Sequence, residues 1–122
     1  MDKEDRQMVN LRVAIPTKGD KGLEDSVSEV FGRSEKFTIL EIVDGSVVNV
    51  EIVENPAGEY KHGAGPIVVK MLKDMGVTAV AASEFGPGVT VLLEQSKIKM
   101  FKVEAGMQVG EIAEKVIKEL ER

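Results

Sequence analysis

The chain has 122 residues, of which 43% are hydrophobic and 30% are charged. This length and balance are typical of one globular domain that buries a core without disulfides. The 16 basic and 21 acidic residues give a net charge of −5, which argues against wholesale nucleic-acid binding because phosphate neutralisation needs a basic face. With no cysteine and one histidine, the chain can build neither a thiolate-ligated metal site nor a site with several imidazole ligands.

The N-terminal segment is polar and aperiodic. We therefore expect residues 1–9 to be a flexible tail and residues 10–122 to form a single domain. No apolar run approaches the ~18 residues that a membrane helix needs. The N-terminus also has no apolar stretch of the signal-peptide kind, so we expect a cytoplasmic protein with no membrane partner.

The first part of the domain predicts a strand followed by a short helix. Residues 11–15 have strand character, and we expect Pro16 to stop that strand. A polar loop that contains Lys18 and Gly19 follows. Residues 24–31 are predicted to form a short helix that ends at Gly32.

A β-hairpin is predicted next, over residues 37–43 and 47–53. The Asp44-Gly45-Ser46 link between these two β-rich runs is a strong hairpin signal. Because side chains alternate along a strand, we expect one face of the second strand to carry Val48, Val50 and Ile52.

The remaining sequence predicts three helices that alternate with two strands. The first helix has Pro66 in its first turn and ends at Gly76, and its expected apolar stripe is Ile67, Val68, Met71, Leu72 and Met75. Residues 77–82 are predicted to be a strand buried on both faces. A helix after Gly88, a strand over residues 98–103 and an amphipathic helix over residues 109–120 complete the chain.

This order of elements predicts an α/β fold, with a mixed sheet of about five strands flanked by helices. Ligands of such sheets bind beyond the carboxyl ends of the parallel strands. If the first and fourth strands are parallel, the loop around Lys18 and the loop over residues 85–88 share one rim of the sheet. The loop that carries His62 is then expected nearby.

His62 is the candidate metal ligand, in the sequence Lys61-His62-Gly63-Ala64-Gly65-Pro66 just ahead of a predicted helix. The free N–H groups and dipole of a helix start favour anions, and glycines allow close approach to the backbone. One imidazole without thiolates can be a single ligand to a preassembled cluster, but it cannot build one. The alternative is an exposed or structurally satisfied histidine.

Two further groups of residues remain open between a binding role and an ordinary structural one. The sequence Gly86-Pro87-Gly88 lacks the motif of a P-loop or a dinucleotide fingerprint, so it is either simple turn chemistry or an anion nest. Arg33 is either a solvated charge or a cation that reaches an anion at the rim. Lys18, Lys21 and Lys61 are loop cations that would form a local positive patch.

Four motifs in this order resemble the dinitrogenase iron-molybdenum cofactor biosynthesis family, which includes NifX, NafY and the C-terminal domain of NifB. The motifs are Phe31-Gly32-Arg33-Ser34 with Phe37, His62-Gly63-Ala64-Gly65, Gly76-Val77, and Phe85-Gly86-Pro87-Gly88. The resemblance covers residues 11–120. It implies a ribonuclease-H-like fold and a non-catalytic protein that carries an iron–sulfur or iron-molybdenum-type cluster. It also implies no intrinsic cofactor, and a cofactor-synthesis or acceptor protein as partner.

By the same resemblance, His62 is the metal ligand, and Arg33 and the two glycine loops lie around the bound cluster. Such clusters are anionic, so loop cations and helix starts suit them. The expected cofactor-binding residues are Lys18, Arg33, Ser34, His62, Gly63, Gly65, Gly86 and Gly88.

Two rival functions are weighed against this one. A two-metal nuclease is disfavoured, because residues 11–17 contain no aspartate and residues 77–82 contain no acidic residue. An anion-binding or small-metabolite-binding regulatory module would use the same loops but would not need His62.

Overall fold

The computed structural model of the protein describes residues 10–28, 31–57, 64–86 and 88–120. The strands are β1 (Asn10–Thr17), β2 (Lys36–Val43), β3 (Ser46–Glu54), β4 (Ala79–Ala82) and β5 (Lys99–Lys102). The helices are α1 (Ala64–Asp74), α2 (Val89–Gln95) and α3 (Val109–Leu120). Two short 3-10 turns, Gly22–Glu24 and Phe31–Arg33, precede β2. The predicted tail over residues 1–9 lies outside the described residues.

The strands form one mixed sheet in the order β3-β2-β1-β4-β5, which confirms the predicted α/β architecture. β1 pairs antiparallel with β2 and parallel with β4, and β5 is parallel to β4. Thr17 at the end of β1 therefore lies opposite Lys36 at the start of β2, and Lys36 lies opposite Glu54 at the end of β3. We call this end of the sheet the rim.

Two apolar layers cover the two faces of the sheet. On one face α1 and α2 pack through a cluster that includes Phe31, Phe37, Ile39, Val68, Leu72, Val80, Val89 and Leu93. On the other face α3 packs through a cluster that includes Val13, Ile15, Leu40, Ile42, Ala81, Val109, Ile112 and Val116. In β1, Ala14 belongs to the first cluster, whereas Val13 and Ile15 belong to the second. The alternating side chains of this strand are therefore buried on both faces of the sheet.

Two predicted chain reversals are confirmed. The hairpin turn has Asp44 at φ 52° and Gly45 at φ 83°, the left-handed pair that a tight two-residue turn requires. α1 ends at Asp74, and Gly76 lies just past its end with φ 80°; the Gly76 N–H donates to Lys73 O and the Val77 N–H donates to Leu72 O. This pair of bonds is the Schellman motif, which satisfies carbonyls at the helix end.

In the described part of the chain, no helix is long and apolar enough to cross a membrane.

The predicted helix over residues 24–31 is wrong for residues 24–28, and residues 29 and 30 lie outside the described residues. The Val27 N–H donates to Met107 O at 2.9 Å, and the Ser28 N–H donates to Pro16 O at 2.7 Å. Val27 also forms an isolated antiparallel bridge with the end of β1 and is only 5% exposed. These long-range bonds and this burial outweigh the weak tendency of so short a segment to form a helix.

Pro16 does not stop β1, which continues to Thr17. The carbonyl of Pro16 accepts the Ser28 N–H, so its backbone faces away from β2. No ladder bond to β2 therefore requires the N–H that proline lacks, and the strand passes through this position.

Val48 does not share the inward face of Val50, because β3 carries a β-bulge. Glu41 pairs with Asn49 while Ile42 pairs with Val47, so Val48 is the extra residue and is 58% exposed. A bulge shifts the alternation of side chains by one residue, which the sequence pattern alone does not reveal.

The apolar stripe of α1 also differs from the prediction at one position. Ile67 is 37% exposed, whereas Val69 is buried. The helix begins at Ala64, and the residues that it buries are Ala64, Val68, Val69 and Leu72. This set is wider than a single stripe because α1 packs against both the sheet and α2.

Candidate functional site

The rim brings together segments that are far apart in the sequence. β1 and β4 are parallel neighbours, so the loops that follow them leave the sheet at the same end, as predicted. The Phe31 N–H donates to Glu84 O at 3.1 Å, which ties the turn before β2 to the loop after β4. Open α/β sheets bind ligands beyond the carboxyl ends of their parallel strands, which is where these loops lie.

Asn55 holds two rim segments together. Its Nδ2 donates to Gly32 O at 3.1 Å and to Ser34 O at 2.9 Å, while its Oδ1 accepts the Ala57 N–H at 2.9 Å. Its own N–H donates to Glu35 O at 3.0 Å. We call these contacts the Asn55 clamp. Sequence reasoning missed it, although an asparagine just before a proline at a strand end is a signal for a side-chain-stabilised turn.

An aromatic cluster lies under the rim. The Phe31 ring centroid is 5.5 Å from that of Phe37 and 5.6 Å from that of Phe85, with tilted planes in both pairs. Phe31 and Phe37 are fully buried, and Phe85 is half-buried. Such pairs contribute roughly 0.5–1.5 kcal/mol beyond their burial, so they fix the loop after β4 against the turn before β2.

Ser34 is an unusual residue of this turn. Its side chain is buried, with 2% of the residue exposed, yet its Oγ has no hydrogen-bond partner among the described residues. A buried hydroxyl without a hydrogen-bond partner lowers the free energy of unfolding by roughly 1–3 kcal/mol, so a serine at this position has a cost that packing alone does not explain. Arg33 precedes it in the 3-10 turn, and Lys18 is an exposed residue directly after β1.

The predicted glycine positions differ in what surrounds them. A Cβ added to Gly65 would lie 3.1 Å from Val89 Cγ2, so this glycine serves the close packing of α1 on α2. A Cβ added to Gly86 or Gly88 would meet nothing within 4 Å, and Gly88 has φ +87°. The backbone beside α2 therefore borders open space that a ligand can enter.

His62 and Gly63 lie outside the described residues, so their roles as metal ligand and cofactor contact stay predictions. The described chain is interrupted between Ala57 and Ala64, both of which are buried in the cluster under α1 and α2. In the described ranges, no group of three or more histidine, cysteine or acidic side chains could hold a metal ion.

One charged pair stands apart from the rim. Lys70 and Asp74 form an ion pair of 2.8 Å along exposed α1. The hydrogen bond from Lys70 Nζ to Asp74 Oδ2, and then the charge of Asp74, raise the pKa of Lys70 above its ordinary value. This contact stabilises the helix surface and contributes nothing to the site.

Comparisons with known proteins agree with this fold. The family model described as dinitrogenase iron-molybdenum cofactor matches residues 9–119. An uncharacterized Methanocaldococcus jannaschii protein, MJ0580, is 34% identical over 92 residues, which are 75% of this chain and 74% of that protein. The NMR structure of a candidate NifB protein from Thermotoga is 37% identical with a TM-score of 0.70, and the match covers 89% of this chain and 88% of that one. The apo orange protein of Desulfovibrio gigas shares the fold at 24% identity with a TM-score of 0.81, over 93% of this chain and 92% of that one. This chain therefore belongs to the dinitrogenase iron-molybdenum cofactor family.

Proposed function

We propose that this protein is a non-catalytic carrier, acting in the cytoplasm, which binds an iron–sulfur or iron-molybdenum-type cluster at the rim as cargo. The observation that carries the proposal is the buried, unpartnered Ser34 hydroxyl in a turn clamped to the rim. Family membership and the likeness to a candidate NifB protein support the same function. The strand order β3-β2-β1-β4-β5 supports the ribonuclease-H-like name for the fold.

The rim residues suit an anionic cargo in several ways. Lys18 supplies positive charge, Arg33 is proposed from the sequence to add a second cation, and the free N–H groups at the start of α1 favour negative charge. The Ser34 hydroxyl is available to donate a hydrogen bond. Gly86 and Gly88 leave room for close approach, and His62 is proposed to give one imidazole nitrogen to iron.

The alternative function is a regulatory module that binds a small anion or metabolite without a cluster. The same cations, helix start and hydroxyl would serve such a ligand, but an imidazole ligand to iron would be unnecessary. Under the carrier proposal, a protein that makes or accepts the cofactor is the expected partner. His62 is therefore the residue that separates the two functions.

The test is anaerobic loading of the full chain with iron-molybdenum cofactor extracted from purified dinitrogenase. Wild type, His62→Ala and Ser34→Ala are compared with Lys73→Ala, a control at an exposed position in the last turn of α1. Iron content, charge-transfer absorbance and paramagnetic resonance are followed after gel filtration. We expect stoichiometric uptake by wild type and the control, loss in His62→Ala and weaker retention in Ser34→Ala.

Other outcomes contradict specific parts of the proposal. If wild type retains no iron, the protein is not a carrier of this cluster. If His62→Ala loads as well as wild type, His62 is not the ligand. Binding of phosphate by both proteins, without iron retention, would favour the regulatory module.

A further inference from the structure

One lateral side of the sheet is open along β5. β5 is the last strand in the sheet order, with β4 as its only neighbour in the described sheet. The Lys99 N–H donates to Thr78 O and the Val103 N–H donates to Ala82 O, both at 3.0 Å. Backbone groups of successive strand residues face opposite sides, so the N–H and C=O groups of Met100 and Lys102 face away from β4. This side is a template for one more strand.

Lysines outnumber carboxylates in the groove beside this open side, although the whole chain is acidic. A shallow groove runs between β5 and α3, and its lining residues are Lys99, Met100, Phe101, Lys102, Lys115 and Glu119. Lys99 Nζ lies 5.6 Å from the Phe101 ring centroid. In the described ranges the ion pairs are Arg12–Glu41 and Lys70–Asp74, so neither Lys102 nor Lys115 is paired with a carboxylate.

We propose that the open side of β5 binds an extended acidic segment of a partner protein by strand addition. Main-chain bonds to Met100 and Lys102 would supply affinity in this mode of recognition, and side chains would supply specificity. Carboxylates on adjacent residues of the segment would lie on opposite faces of the strand, one facing Lys99 and Lys115 and the other facing Lys102. Three lysines against the single carboxylate of Glu119 favour an acidic segment over a neutral or basic one.

The proposal also fits the position of the strand. Lys102 pairs with Ala82, the last residue of β4, so this end of β5 lies at the rim. A partner bound along β5 would therefore reach the candidate site. A second copy of this chain suits the open side less well, because pairing β5 with β5 would bring the lysines of both copies together and like charges opposite each other are destabilising.

The first measurement is an NMR titration of the full chain, without any cluster, with a short capped peptide in which pairs of glutamates alternate with pairs of valines, so that glutamates lie on both faces of the added strand. We expect shifted signals and slower hydrogen exchange at the Met100 and Lys102 amides, with no change along β3. Lys102→Glu should weaken binding by about tenfold, and added salt should weaken it further, because exposed charges are screened. The same peptide with lysine in place of each glutamate should not bind.

A matched pair of variants separates strand addition from simple charge attraction. Lys102→Thr removes the charge, whereas Lys102→Pro also removes the outward N–H, and neither change breaks a bond to β4. We expect the proline variant to bind at least about fivefold more weakly than the threonine variant, since it lacks a main-chain donor. Equal affinities, or unchanged amides at Met100 and Lys102, would overturn the proposal.

Sedimentation of the protein alone gives a second test of the occupant. We expect no self-association that depends on Lys102. If the protein dimerises and Lys102→Glu abolishes the dimer, the occupant of β5 is a second copy and the proposal is wrong. None of these measurements involves the cluster, so their failure would leave the carrier function untouched.

Discussion

Replacing Asn55 by alanine should destabilise the protein more than its half-buried position suggests. The substitution removes two donated bonds, to Gly32 O and Ser34 O, and one accepted from the Ala57 N–H. Each such bond contributes roughly 0.5–1.5 kcal/mol net, and water can replace part of that at a half-buried position. We therefore expect the free energy of unfolding to fall by about 2–3 kcal/mol.

Urea unfolding followed by circular dichroism measures this loss. With a slope of roughly 1–3 kcal/mol/M for a small domain, this loss lowers the midpoint by about 0.7–3 M, depending on the slope measured for this protein. Asn49→Ala is the matched control, because Asn49 is exposed on β3, and its effect should stay within about 0.5 kcal/mol. A loss below about 1 kcal/mol for Asn55→Ala would show that the clamp does not hold the rim together.

Four further substitutions test other features. Ser34→Ala should leave stability unchanged or raise it by about 1 kcal/mol in urea unfolding, because it removes an unpaired buried hydroxyl; a loss above about 1 kcal/mol would show that the hydroxyl is paired in solution. Phe31→Ala should cost about 3–5 kcal/mol by thermal unfolding, since Phe31 joins both ring pairs; a loss of about 1 kcal/mol would contradict that role. Gly76→Ala should cost about 1 kcal/mol because φ is +80°, and no cost in urea unfolding would mean that α1 ends differently. Asp74→Asn should lower the pKa of Lys70 toward its ordinary 10.5 in an NMR titration; an unchanged pKa would mean that the pair does not form. Because folding raises the pKa of Lys70, this ion pair makes a small contribution to the free energy of unfolding. That contribution is fully present at pH values below the unfolded pKa of Lys70, and it is lost as the pH rises through the folded pKa.

Much of the fold could be predicted because local signals agree with the tertiary structure. The Asp44-Gly45 turn needs left-handed backbone that few residue pairs adopt readily, so the hairpin position follows from two residues. Gly76 marks the end of α1 for a similar reason. The shared rim could also be predicted, since parallel strands leave a sheet at the same end.

The errors occur where long-range contacts decide the local conformation. Residues 24–31 contain apolar residues at helical spacing, but Val27 is held by the Met107 carbonyl, which no local pattern reveals. The bulge at Val48 depends on how β3 pairs with β2. Within the candidate site, the binding roles of Arg33 and Ser34 stay predictions from the motif, whereas the Asn55 clamp depends on a turn more than twenty residues away and could not be predicted locally.

The antiparallel pairing of β2 with β1 has a consequence for how the protein folds. It places the start of β2 and the end of β3 beside the ends of β1 and β4. The rim is therefore built from segments that are far apart in the sequence. Contacts between distant segments form slowly, because the closure of long loops must precede them. A nascent or partly unfolded chain would therefore lack the rim, and under the proposed carrier function only the completed domain would take up cargo. A ligand that binds only the folded state also stabilises it by mass action, so the proposed function predicts that the loaded protein resists proteolysis better than the empty one.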